Sequence, residues 1–304
     1  MRAAVINAVD GPFELVDLPD PAGDDGKVLV RVRAAGINFA DVLIRRGRYP
    51  QMPDLPAVLG SEIAGELEDG TRVMAFTSGG GGYAELASID RAQVVPLPDG
   101  ASFAEGASFL LTFLTAYIPL TRQVRVRGGS TVLVYAGAGG VGTATIQVAR
   151  ALGARVIAAV GSAEKLDVCR ELGAEEAYVY ADVPGDLQAD VVVDPVGGEL
   201  FARSFARLKP LGAVVAIGSA AGAWTEIEPA RLVGRNVGLY GFYLGRLLRL
   251  EPELVGTAVG ELLGLWQTGA LRPLVGAELP LDQVERAHEL VESRRSVGKV
   301  VLTP

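Results

Sequence analysis

Over residues 1–100 the polar–apolar pattern alternates in short runs. Lys27-Val28-Leu29-Val30-Arg31-Val32-Arg33-Ala34 changes character at almost every step, which predicts a half-buried strand. Glu62 to Leu67 and Thr71 to Phe76 flank Glu68-Asp69-Gly70 and predict a hairpin. Ser78-Gly79-Gly80-Gly81-Gly82 predicts a flexible loop before another strand, Tyr83 to Ile89. Short strands separated by Gly and Pro turns predict a compact β-domain, in the manner of a partly open barrel.

From about residue 104 the apolar runs lengthen. Ala104 to Tyr117 is apolar enough for buried helices. Continuous apolar strands are then predicted at 131–135, 154–160, 176–180, 190–194, 212–217 and 236–243, with helices at 141–152, 162–172, 198–208 and 228–233. Strands of this kind joined by helical crossovers predict an α/β fold with a doubly wound parallel sheet. Beyond about residue 250 the chain is helical again, and it closes on Lys299-Val300-Val301-Leu302-Thr303, a strand that needs a sheet to join. The simplest solution is a return to the N-terminal β-domain. The expected division is 1–113 with 249–304 for that domain, and 114–248 for the parallel sheet.

Composition narrows the classes. The chain has 304 residues, 49% hydrophobic and 6% aromatic, and a formal net charge of −8. That is a globular composition, and its acidity argues against a general nucleic-acid partner. One cysteine, Cys169, excludes an intrachain disulfide and fits a reducing compartment. The start, Met1 to Ile6, lacks a signal peptide's apolar core, and no uncharged stretch reaches the roughly 18–20 residues of a membrane span. A cytoplasmic protein with no membrane partner is expected.

The strongest motif is Ala136-Gly137-Ala138-Gly139-Gly140-Val141-Gly142, set between the apolar run Thr131 to Tyr135 and the helical run Thr143 to Leu152. Gly137, Gly139 and Gly142 fit G-x-G-x-x-G in the strand–turn–helix context that makes it a dinucleotide signal. The glycines permit a tight turn and close approach of the backbone to a pyrophosphate. The helix N-terminus presents N–H groups and a positive dipole end to that anion. An acidic residue that would hold an adenosine ribose diol is expected at the end of the second strand. Gly161-Ser162-Ala163 stand there instead, with Glu164 and Lys165 just beyond. A hydroxyl and an ammonium without a carboxylate favour a 2′-phosphate, and therefore NADPH over NADH. The alternatives are that Ser162 caps a helix and that Lys165 is a solvated charge. Tyr180, closing the next predicted strand, is either a partner of the same phosphate or a strand-end aromatic.

These residues resemble the quinone oxidoreductase (zeta-crystallin-like) branch of the zinc-free medium-chain dehydrogenases/reductases, essentially end to end. The resemblance is carried by Ala35-Gly36-Ile37-Asn38-Phe39-Ala40-Asp41, Arg46-Gly47-Arg48-Tyr49-Pro50, Leu59 to Gly65, Gly82-Tyr83-Ala84-Glu85, Leu114 to Tyr117, Ala136 to Gly142, Asp194-Pro195-Val196-Gly197-Gly198 and Val297 to Val301. The stretch from Glu66 to Gly70 is shorter than the family's. The resemblance implies a GroES-like β-rich domain from the two chain ends, a Rossmann domain of six strands from the middle, and a cofactor between them. It also implies homodimers that pair the Rossmann edge strand, here Arg235 to Leu244.

By resemblance, Asn38 lies near the nicotinamide ribose and the acceptor pocket; otherwise it hydrogen-bonds a loop. Tyr49 is a proton or hydrogen-bond donor to a developing oxyanion, or packs on Pro50 and Pro53. Thr115 touches the nicotinamide carboxamide, or is a buried helix hydroxyl bonded to its own backbone. Gly218, Phe242, Tyr243 and Leu244 match cofactor-binding segments, and Arg294 matches an arginine that reaches NADPH phosphate. Arg295 and Arg246 are weaker candidates for that role. Glu62 and Asp41 read as structural carboxylates. No zinc site is expected, because Cys169 and His288 are the chain's one cysteine and one histidine and Asn38 stands where a metal cysteine would. Cys169 reads as a small buried apolar side chain, and His288 as structural or solvated. The leading expectation is a zinc-independent NADPH:quinone oxidoreductase. The alternatives are an NADPH-dependent alkenal, enone or enoyl-thioester reductase, and an NADPH-binding protein with little turnover.

Overall fold

A computed structural model describes residues 1–23, 26–77 and 79–304. Ser78 of the expected glycine loop lies outside the described residues. The chain forms two compact units, Met1–Leu111 with Pro273–Pro304, and Thr112–Arg272.

Unit 1 opens with β1 (Arg2–Ile6), which pairs antiparallel with β2 (Phe13–Asp17). The long strand β3 (Lys27–Ile37) leads through Asn38 into helix α1 (Phe39–Arg45). Then come β4 (Ala57–Val58), β5 (Glu62–Glu66), β6 (Arg72–Phe76), β7 (Leu86–Asp90) and β8 (Val94–Pro96). The expected hairpin is β5–β6, with Glu62 opposite Phe76. β3 alternates buried and exposed residues from Val30 to Arg33 and is continuously buried from Ala34 to Ile37. A register shift between Val32 and Ala34 accompanies the change. Before the shift β3 pairs with β7 as well as β5; after it, a strand from the far end of the chain takes the place of β7.

Helices α2 (Phe103–Gly106) and α3 (Leu110–Ile118) follow, and the unit boundary falls within α3. The run Phe103–Gln123 is long and apolar enough to cross a membrane by composition, and 83% of its apolar window is buried in the protein.

Unit 2 carries six parallel strands: β9 (Thr131–Tyr135), β10 (Arg155–Val160), β11 (Glu176–Val179), β12 (Ala189–Asp194), β13 (Leu208–Ala216) and β14 (Gly238–Gly241). Their order is β11-β10-β9-β12-β13-β14, in which the chain starts in the middle, winds to one edge, and then winds to the other. This is the doubly wound arrangement. The connecting helices are α4 (Gly140–Ala151), α5 (Leu166–Glu171), α6 (Gly198–Ser204) and α7 (Pro229–Arg235). β9 and β12 are buried throughout or nearly so, as expected of central strands covered on both faces. Helices α8 (Leu244–Leu250) and α9 (Pro252–Gln267) complete the unit. The expected boundary after residue 248 therefore falls inside α8. The physical reason is that the Gln147 side chain of α4 both donates to the Arg272 carbonyl and accepts its N–H, which holds the chain to unit 2 as far as Arg272.

The chain returns to unit 1 with β15 (Val275–Pro280), α10 (Val284–Glu292) and β16 (Lys299–Thr303). β16 pairs antiparallel with β3, Val300 opposite Ile37 and Leu302 opposite Ala35. Leu279, Leu281, Val284, Ala287, Val300 and Leu302 from this return enter the same apolar core as Ile6, Val30, Ile63 and Tyr83. The expected return of the C-terminal strand to the N-terminal β-unit is what the structure shows.

Candidate active site

Because all six strands of unit 2 run parallel, their C-terminal ends share one edge of the sheet. The residues following those ends are the glycine loop after β9, Ser162 after β10, Tyr180 after β11, Gly218 after β13, and Phe242 to Leu244 after β14. Sequence candidates that are far apart along the chain are thus gathered on the edge where open α/β sheets bind ligands.

The glycine loop is set by close packing. A Cβ on Gly142 would stand 2.1 Å from the Ala136 carbonyl oxygen, and one on Gly137 would stand 3.0 Å from Ala158 Cβ and 3.2 Å from Cys169 Sγ. The turn begins with Ala136 at φ 51°, a left-handed conformation, and the Gly139 N–H donates to the Ala136 carbonyl. Gly139 is the N-cap of α4 and no side chain caps the helix. The first turn of a 12-residue helix thus presents its N–H groups at a glycine-lined backbone. Ala138 is buried, while Gly140 and Val141 are half-buried in that first turn.

Ser162 stands at the N-cap of a 3-10 turn, Ala163–Lys165, but its side chain makes no capping bond; its hydroxyl donates to Glu164 Oε1 at 3.1 Å. Lys165 is half-buried, and burial holds its ammonium below the usual lysine range while Glu164 opposes the shift. The third strand ends at Val179, one residue before the expected end, so Tyr180 opens a short 3-10 turn. Its ring meets Tyr135 edge-on at 5.9 Å, and a Cβ on Gly161 would lie 3.8 Å from it. Tyr180 therefore flanks the end of β10 beside Ser162. Gly218 lies near the Pro195 carbonyl, and the Phe242 N–H donates to the Ala216 carbonyl. Phe242 and Leu244 are buried, and the Tyr243 ring folds over Gly245. Thr115 is buried in α3, on the unit 2 side of the boundary.

Asn38, Tyr49 and Arg294 belong to unit 1. Tyr49 is half-buried in the loop after α1. Arg294 is exposed at φ 59°, with its N–H bonded to the Val291 carbonyl at the end of α10. Asn38 lies in a buried polar cluster. Its N–H donates to Asp41 Oδ2 at 2.8 Å, and its Oδ1 accepts from Lys299 Nζ at 2.7 Å. Lys299 also donates to Glu62 Oε2 at 3.1 Å, while Glu62 Oε1 accepts the Leu111 N–H. Asp41 Oδ1 accepts from Ser61 Oγ at 2.7 Å. Burial raises the Asp41 and Glu62 carboxyls above their ordinary values, with Lys299 opposing the shift in both.

Sequence reasoning assigns no role to Lys299, although the signal is present: one ammonium beside the apolar run Val300-Val301-Leu302 of the terminal strand. Nor does it pair Tyr83 with His288. Their side chains meet at 3.3 Å, Nε2 to hydroxyl, in the core of unit 1. His288 is structural and not solvated, with 1% of its surface exposed and Nδ1 without a hydrogen-bond partner among the described residues. Cys169 is buried in α5, and burial pushes its thiol up to about 11.

Residues 140–259 match the zinc-binding dehydrogenase family and residues 24–99 the alcohol dehydrogenase GroES-like domain. A quinone oxidoreductase of Pseudomonas aeruginosa is 34% identical over 91% of each chain. The quinone oxidoreductase from Thermus thermophilus, whose crystal structures include its complex with NADPH, is 42% identical, covers 100% of both chains and superposes with a TM-score of 0.94. The chain belongs to the quinone oxidoreductase branch of the medium-chain dehydrogenase/reductase superfamily. Unit 1 is the GroES-like domain and unit 2 the Rossmann domain of that family. A mycobacterial relative, 33% identical with a TM-score of 0.93 over 100% of both chains, was also solved with NADPH.

The buried histidine generates a pH prediction. Burial, reinforced by Arg45 and Arg46, lowers the His288 pKa from 6.5 to about 3. Between those values the unfolded chain binds a proton that the native chain excludes, so stability present above pH 6.5 is lost as pH falls. The slope approaches about 1.4 kcal/mol per pH unit. His288→Gln is expected to flatten the acid side of the Tm profile between pH 6.5 and 4. A profile parallel to the wild type would refute the assignment.

Proposed function

We propose that this protein is a zinc-independent NADPH:quinone oxidoreductase. The observation that carries the reading is the alignment of an uncapped, glycine-lined helix start with Ser162, Tyr180, Gly218 and Phe242 along one sheet edge. The fit to a dinucleotide rests on Gly142, whose absent Cβ lets the turn close against Ala136. Kinship with NADPH-bound quinone oxidoreductases supports the same reading.

In this reading the N–H groups of Gly140, Val141 and Gly142 hold the pyrophosphate, over a loop formed by Gly137, Ala138 and Gly139. Ser162 and Lys165 take the 2′-phosphate, the Ser162 hydroxyl turning from the Glu164 carboxylate to the phosphate, and Tyr180 flanks that end. Gly218, Phe242, Tyr243 and Leu244 line the nicotinamide end. Arg294 adds a guanidinium for phosphate. Asn38 and Thr115 orient the nicotinamide and its ribose, and Tyr49 offers a hydroxyl to the oxygen that gains charge. The bound dinucleotide supplies the hydride. A quinone spreads the incoming charge onto its carbonyl oxygens, so the protein's task is orientation more than strong acid catalysis. Zinc independence rests on the ligand inventory. Cys169 is buried in unit 2, His288 is engaged with Tyr83 in unit 1, and Asn38 is held by Lys299.

A homodimer through β14 is proposed with it. β14 ends the six-stranded sheet, so its outer edge offers unpaired backbone groups. Leu239 and Tyr240 on it are 38% and 40% exposed, and Val233 of the preceding helix is 76% exposed.

Purified protein is expected to oxidise NADPH with an ortho-quinone faster than with a medium-chain 2-alkenal, and to keep that activity in a chelator. Preference for the alkenal would make it an enone reductase, and NADPH binding without turnover would make it a binding protein. Lys165→Glu is expected to raise KM for NADPH about 10–100-fold, the loss of one charge-assisted contact, and to leave NADH nearly unchanged. Equal losses with both would remove the 2′-phosphate assignment. Tyr240→Lys is expected to convert a dimer to a monomer in analytical ultracentrifugation; a wild-type monomer, or an unchanged dimer, would refute the edge pairing.

A further inference from the structure

Strand β12 ends on Asp194, whose side chain is fully buried. Its Oδ1 accepts two backbone N–H groups of the loop that follows, Val196 at 2.7 Å and Gly197 at 3.0 Å. Its Oδ2 lies 3.5 Å from the Ser204 hydroxyl of α6. One side chain thus ties the strand end to the bend of the β12–α6 loop and to the helix beyond it. The bend is at Gly197, with φ 74°, a backbone conformation that favours glycine.

That loop carries a second one. The Ala220 N–H donates to the Pro195 carbonyl at 3.2 Å, the Ala221 N–H to the Val196 carbonyl at 2.7 Å, and the Gly198 N–H to the Ala223 carbonyl at 3.0 Å. The Ile217 N–H donates to the backbone carbonyl of Asp194 itself at 3.0 Å. The approach is close: a Cβ on Gly197 would stand 2.9 Å from the Ala223 carbonyl oxygen and 3.0 Å from Ser219 Oγ. Residues 217–223, which follow β13 and include Gly218, are therefore seated bond by bond on residues 194–198. The Asp194 carboxylate reaches them through that intermediate loop.

Burying a carboxylate is costly. Burial raises the Asp194 carboxyl above its ordinary value, while the Gly197 and Val196 N–H groups oppose the shift. An N–H bonded to a charge is held more tightly than one bonded to a neutral carbonyl, so the return on that cost is a stiff loop. We propose that Asp194 is a positioning residue for the nicotinamide half of the dinucleotide: it stiffens residues 195–198 and, through their backbone bonds, holds the Gly218 segment at the C-terminal edge of the sheet. This rests on the role given to Gly218 above. The adenosine half is read by the glycine loop, Ser162, Lys165 and Tyr180, and that reading does not run through Asp194.

The test compares two ligands by titration calorimetry on the whole protein: NADPH, and adenosine 2′,5′-bisphosphate, which has the adenosine and the 2′-phosphate but no nicotinamide half. Asp194→Ala is expected to weaken NADPH about 10–100-fold, the range of a hydrogen bond to a charged group, and to leave the bisphosphate nearly unchanged. Asp194→Asn keeps Oδ1 as an acceptor for both N–H groups and should restore most of the affinity. Equal losses with both ligands would make Asp194 a support of the whole sheet and overturn the proposal, as would unchanged NADPH affinity in Asp194→Ala. A wild type that binds NADPH and reduces no quinone would fail the quinone reading alone, and the two dissociation constants would still decide the role of Asp194. A wild type that binds the bisphosphate as tightly as NADPH would overturn the proposal together with the role of Gly218. Should Asp194→Ala fail to fold, Gly197→Ala carries the same comparison, with the same selective loss expected: its Cβ would press on Ala223 and Ser219 and leave the carboxylate in place.

Discussion

A buried ammonium must be met by anions and acceptors, since removing its partners leaves an uncompensated charge in a low-dielectric core. In unit 1 that requirement falls on Lys299, and meeting it organises the middle of the domain. The strand register places Gly36 of β3 opposite both Val301 of β16 and Glu62 of β5. A Cβ on Gly36 would stand 1.9 Å from the Ala107 carbonyl and 3.1 Å from Lys299 Nζ. The glycine therefore makes the space in which lysine, glutamate and asparagine converge. Asp41 and Ser61 extend the network to the start of α1 and the residue before β5.

Unit 2 depends on a different constraint, the distance of approach at the turn after β9. Gly142 can lie against Ala136 because it lacks a Cβ, and this brings the first turn of α4 close to the end of the strand. Parallel strands then do the rest. Each crossover returns the chain to the same edge, so successive loops deliver Ser162, Tyr180, Gly218 and Phe242 without any of them being neighbours in sequence. The two units thus build polar sites by opposite means: one buries a charge among side chains, and the other exposes backbone N–H groups at a helix end.

The parts of this architecture that follow from local pattern were legible in the amino-acid order. β9 occupies the expected 131–135, and β10 and β12 differ from expectation by one residue at their starts. The β5–β6 hairpin and the terminal strand were equally clear, because each has its own alternation or apolar run. Contacts made across long separations were not. Lys299 meets Asn38 and Glu62 across 261 and 237 residues, and His288 meets Tyr83 across 205. No periodicity records such meetings. The compact units likewise divide at Arg272, and the bond between Gln147 and Arg272 that holds the chain there gives no sign in the local pattern. Asn38 stands in a motif marked by its neighbours, while Lys299, which bonds it, reads only as part of a strand.

The interleaving of the two units bears on how the protein is made. Unit 2 is one unbroken segment, and every strand of its sheet has left the ribosome before the chain turns back to β15. It is able to fold while synthesis continues, in keeping with domains folding as units during translation. Unit 1 begins first and finishes last. Until β16 arrives, β3 has an open edge at Ala35 to Ile37, Glu62 lacks its ammonium, and the core lacks Val300 and Leu302. The domain that carries Asn38 thus spends the whole synthesis of its partner domain as an unfinished sheet, and a nascent chain stalled before Lys299 would hold a complete six-stranded sheet in unit 2 while unit 1 still lacked its last strand.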